Sequence, residues 1–81
     1  MTPATTFVLK TAIAEARAST RDEDRALSLC AALCTALGHA IAVAGKGDPK
    51  MIDRLMMCAE NNIAEAATAF APDVRALVKP H

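Results

Sequence analysis

Apolar residues return along this chain every three to four positions, and β-branched residues nowhere alternate with polar ones in the two-residue rhythm of a strand. The pattern predicts an all-α fold in one domain over residues 1–81. A first helix is expected over about 3–18. Thr2 can serve as its N-cap, Pro3 suits the first helical position, and Phe7, Leu9, Ala12, Ile13 and Ala16 form a modest apolar stripe.

A second helix is expected over about 21–44. Thr20 and Glu23 sit at capping-box spacing, and Asp22, Glu23 and Asp24 would place negative charge where the helix dipole favours it. Few strong breakers lie in 16–24, which leaves open that the first two helices run on as one. The second helix carries the clearest periodicity. Leu27, Cys30, Cys34, Leu37, Ile41 and Ala44 recur in 3–4 steps, and Ala26, Leu29, Leu33, Ala36, Ala40 and Val43 make a second row beside them. Two adjoining apolar rows imply contact with more than one neighbour. The remaining strip, with Arg21, Arg25, Ser28, Thr35, His39 and Lys46, is the face expected in water.

Gly45, Lys46, Gly47 and Asp48 end this helix, and Asp48 followed by Pro49 reads as the N-cap and first residue of the next. So short a link forces an antiparallel hairpin. The third helix is expected over about 49–71, with Ile52, Leu55, Met56, Ala59, Ile63 and Phe70 on one side and Asp53, Met57, Glu60, Asn61, Ala64 and Thr68 on the other. Asn62 borders the apolar side, where a buried amide would fix register. Pro72 is expected to end the helix, with a separate short helical turn over 73–78 covering the open end of a bundle.

Composition adds a burial problem. Nineteen residues are alanine and only Phe7 and Phe70 are aromatic, so each helical turn removes little area from water, and 81 residues lie near the lower limit for a self-sufficient core. A hairpin, an N-terminal helix and a C-terminal turn are therefore expected to pack as a homodimeric or higher helical bundle. Its core and interface would be built from Leu27, Leu29, Leu33, Leu37 and Ile41 of the second helix and Ile52, Leu55, Met56, Ile63 and Phe70 of the third.

Charge and chemistry narrow the function without naming it. Nine basic residues balance nine acidic ones with no long run of either sign, which argues against nucleic acid or an anionic membrane as partner. The stretch 26–45 has no formal charge and is long enough to cross a bilayer, but its alanines, Ser28, Thr35 and His39 make it only weakly apolar, so no membrane span is expected. Three cysteines cannot all pair within one chain and no signal peptide is evident, which favours the reducing cytoplasm.

Cys30 and Cys34, spaced i, i+4, could offer two thiolates to one Zn²⁺ or Cu⁺ across a dimer. Buried cysteine is also a common small apolar filler, and no metal or other cofactor is assigned. His39 on a helical face resembles the phospho-accepting histidine of histidine phosphotransfer domains in architecture alone. Ala40, Ile41, Ala42 and Val43 stand where that family carries a lysine and a glycine. Gly45, Lys46 and Gly47 lack the longer loop and Lys-Ser/Thr ending of a phosphate-binding motif. No serine, histidine and acid constellation can be assembled, so no catalytic residue is expected and the chain does not read as an enzyme. The expected role is protein–protein interaction as an adaptor or regulatory subunit. The alternative is a metal- or thiol-responsive protein using Cys30 and Cys34.

Overall fold

A computed structural model of the chain describes residues 1–78; His81, which carries no assignment from sequence, lies outside them. Three helices follow one another: α1 over Pro3–Ala18, α2 over Glu23–Ala44 and α3 over Pro49–Val78. No strand occurs among the described residues. Two compact units divide the chain, Met1–Leu33 and Cys34–His81.

In the first unit, α1 starts as its sequence suggests. Thr2 Oγ1 accepts from the Thr5 amide at 3.1 Å, and Pro3 occupies a position whose missing N–H has no intrahelical partner to lose. At the other end the Ser19 hydroxyl donates to the Glu15 carbonyl at 2.8 Å, and Ser19 is 98% removed from solvent, its exposure being 2%. Helices α1 and α2 are separate. The expected capping box at Thr20 does not form: its hydroxyl donates backward to the Arg17 carbonyl at 2.6 Å and helps close α1. Asp22 caps α2 instead, its Oδ1 accepting from the Arg25 amide at 3.0 Å while its carbonyl accepts from Ala26 at 3.0 Å. A carboxylate at the positive end of a helix outcompetes a hydroxyl already engaged two residues upstream, so α2 begins at Glu23 rather than 21.

In the second unit, the end of α2 and the whole of α3 form a hairpin. The Gly47 amide donates to the Ala42 carbonyl at 3.0 Å and the Lys46 amide to that of Val43 at 3.1 Å, the paired bonds of a Schellman motif. That motif needs left-handed backbone, which Lys46 adopts at φ 53° and Gly47 at φ 73°. Asp48 then caps α3 by accepting from the Met51 amide at 3.3 Å. Gly45 lies tightly against the start of α3: a methyl there would stand 3.1 Å from Ile52 Cγ1 and 3.3 Å from the Ile41 carbonyl oxygen.

The expected end of α3 at Pro72 is also corrected. α3 runs through Pro72 to Val78, so the turn predicted over 73–78 is its continuation. Proline removes one donor and its ring crowds the carbonyl four residues earlier, but Ala66, Ala67, Ala69 and Ala71 before it and Arg75, Ala76 and Leu77 after it are strong helix formers that offset this cost.

Candidate functional site: an open apolar groove

No hydrophobic side chain is buried among the described residues, and Ser19 is the one buried polar residue. The ten residues expected to make a core therefore do not make one within a single chain. Leu29 in the first unit and Ile41, Ile52 and Leu55 in the second are half-buried. Leu27, Leu33, Leu37, Met56, Ile63 and Phe70 are exposed.

Five of the ten meet in the second unit, where Leu37 and Ile41 from α2 and Ile52, Met56 and Ile63 from α3 line an open groove of about 210 Å³. Cys34 and Gly38 complete its α2 wall, and Ala59 and Glu60 its α3 wall. Helical spacing accounts for the grouping: Cys34, Leu37, Gly38 and Ile41 fall on one side of α2, and Ile52, Met56, Ala59 and Ile63 repeat in 4–3–4 steps along α3. Glu60, expected on the outer side, lines this wall because it lies 40° from Met56 and 60° from Ile63 around the helix. That angular closeness was the signal in the sequence. Glu60 is the groove's single formally charged residue, so the lining offers a partner hydrocarbon and very little field.

Beyond the groove, α3 shows a further exposed stripe of Phe70, Val74, Leu77 and Val78. The first unit has Phe7, Val8, Leu9, Ile13 and Leu27 exposed. Its polar anchor is an ion pair between Arg25 and Glu15, with Nε donating to Oε1 at 2.7 Å and one terminal nitrogen to Oε2 at 3.0 Å. The hydrogen bond to Glu15 and that carboxylate's charge hold the guanidinium above its ordinary pKa.

The candidate chemical groups are dispersed. Cys30, Cys34 and Cys58 are free and exposed, and only Cys34 lines the groove. Among the described residues no three or more His, Cys, Asp or Glu side chains gather in a metal-binding group. His39 is exposed, and its Nδ1 donates to the Thr35 carbonyl of its own helix at 2.9 Å. α2 is long and apolar enough to cross a membrane by length and composition, and none of its most apolar window is buried. Comparison with known protein families, with curated proteins and with solved structures finds no match.

Proposed function

We propose that this chain is a self-associating interaction subunit of the cytoplasm: a homodimer or higher oligomer whose helices share one bundle and whose remaining exposed surface binds another protein as an adaptor or regulator. The observation that carries this reading is the absence of any buried hydrophobic side chain among the described residues. Fixing the backbone costs about 1–2 kcal/mol per residue, and apolar burial is the main term that offsets it. Half-buried contacts within one chain supply little of that term. A second subunit laid on the exposed faces supplies the rest.

The free thiols suit a reducing compartment. Sedimentation equilibrium of the full chain, paired with far-ultraviolet circular dichroism across the same concentrations, tests the proposal. Oligomers at micromolar concentration that lose helicity as they dissociate are expected. A monomer that stays fully helical and unfolds cooperatively would overturn the reading. So would a chain soluble only in detergent that floats with lipid vesicles, because α2 would then be covered by a bilayer.

A further inference from the structure

α1 and α3 carry one residue pattern with opposite charge. On α1, Lys10 stands three residues before Ile13 and Arg17 four after it, about 60° and about 40° to the same side of it around the helix. On α3, Asp53 and Glu60 stand at the same steps about Met56, and on the same side. Each charged pair therefore edges an apolar row: Leu9, Ile13 and Ala16 on α1, and Ile52, Met56 and Ile63 on α3. No other two cations, and no other two carboxylates, stand seven apart on one helix of the described residues. Leu9, Ile13, Met56 and Ile63 are exposed, and Met56, Glu60 and Ile63 line the groove. Among the described residues the ion pair is that of Arg25 with Glu15, about 160° round α1 from Ile13, and none of Lys10, Arg17, Asp53 and Glu60 belongs to one.

We infer that the groove seats α1 of a second copy of this chain, laid antiparallel to α3 with Ile13 over Met56, so that Lys10 meets Glu60 and Arg17 meets Asp53. The inference rests on the self-association proposed above and specifies its surfaces. Direction follows from helical geometry. Both charged edges lie on the same rotational side of their apolar rows, and two facing helices bring such edges together only when they run in opposite directions.

Charge selects the occupant. A second groove laid on the first would set Glu60 near its own copy, whereas α1 brings an apolar row together with two cations at the spacing of the two carboxylates. Each copy offers one α1 and one groove, so two copies that exchange α1 form a closed two-fold pair with no groove left over. The apolar rows supply burial. Exposed ion pairs add little affinity, but like charges set face to face are costly, so the two edges fix orientation and register more than strength.

Charge exchange in the full chain tests this. Lys10→Glu with Arg17→Glu makes both surfaces acidic, and Asp53→Lys with Glu60→Lys makes both basic. Each double variant alone should have a dimer dissociation constant raised at least about tenfold, by sedimentation equilibrium in physiological salt. Mixed, the two should form a heterodimer within about threefold of wild-type affinity, seen at its own mass by native mass spectrometry. Should either double variant fail to fold alone, the mixture should regain helicity by circular dichroism. Arg21→Glu with Arg54→Glu makes the same change in net charge, with Arg54 about 160° round α3 from Met56, and should leave the dimer within about threefold of wild type. Double variants as tight as wild type, a mixture that restores nothing, or a control that weakens the dimer equally would place the interface elsewhere and leave self-association standing. A folded wild-type monomer would remove both readings together.

Discussion

Arg25 holds the carboxylate of Glu15 through two parallel hydrogen bonds across ten residues of sequence, tying the start of α2 to the last turn of α1. Glu15 is doubly used, since its carbonyl also accepts from the Ser19 hydroxyl. Fork-to-carboxylate geometry is the strongest form of exposed ion pair, yet both partners reach water and are screened by salt. A double-mutant cycle with Glu15→Gln and Arg25→Gln should show a favourable coupling at low ionic strength that shrinks towards zero in 1 M NaCl. An arginine is charged at any pH at which the protein is handled, and the hydrogen bond to Glu15 pushes its pKa further up, so the coupling should respond to salt and not to arginine titration. Coupling that is insensitive to salt would mean that Ser19 and the backbone, not the ion pair, fix this corner.

The same corner separates two caps that look alike in sequence. Asp22→Ala removes the acceptor for the Arg25 amide and should destabilise the protein by about 1 kcal/mol, measured by urea unfolding at fixed protein concentration. Thr20→Ala removes a hydroxyl that donates to the Arg17 carbonyl, and should cost less than Asp22→Ala. The reverse order would restore the capping box that the spacing of Thr20 and Glu23 suggested.

Where the sequence was legible, the deciding interactions were local. Thr2 with Pro3 and Asp48 with Pro49 each lie within three residues of the amide they cap, so spacing alone reveals them. The start of α2 was less legible, because Thr20 and Asp22 compete and the geometry of the turn also depends on Arg25 meeting Glu15 ten residues away. Periodicity identified the apolar faces, and Leu37, Ile41, Ile52, Met56 and Ile63 do share one groove. It could not say that this groove stays open in one chain, because burial depends on how much surface is available to cover it.

Pro72 shows a single-residue rule yielding to its neighbours. Replacing it with alanine restores an amide able to donate to the Thr68 carbonyl and relieves the ring's steric conflict inside α3. Pro72→Ala should therefore stabilise the protein by up to about 3 kcal/mol, read as a rise in the urea midpoint with helicity conserved or increased. A loss of stability would show that the proline's constraint serves the fold at this position.

The hairpin yields paired predictions of opposite sign. Gly45→Ala should cost about 1–3 kcal/mol, because the new methyl meets backbone atoms of Ile41 and Ile52 at 3.3 Å that cannot yield as a side chain can. Lys46→Gly should stabilise by about 0.5–1 kcal/mol, since lysine bears the strain of φ 53° and glycine does not, less the greater freedom glycine gives the unfolded chain. Thermal unfolding of both variants at one protein concentration checks the pair. Equal signs would contradict the Schellman geometry of this turn.

Leu37 and His39 lie two residues apart on α2, and helical geometry turns them 200° from one another. Both are exposed in one chain, Leu37 by 36%, so the single chain gives little reason for either substitution to be severe. The self-association proposed above, which covers the exposed apolar faces, makes them differ. Leu37→Asp would carry an unpaired carboxylate into an apolar interface, and should raise the dissociation constant by at least about a hundredfold, leaving monomeric or unfolded chain. His39→Ala removes an exposed ring whose Nδ1 is bonded to the Thr35 carbonyl of its own helix, and should change stability by less than about 0.5 kcal/mol. Sedimentation equilibrium of the two variants beside the wild type separates the cases. Equal and small effects would mean that the α2 wall of the groove faces water in the assembled protein, and equal and large effects that the partner covers the histidine side as well.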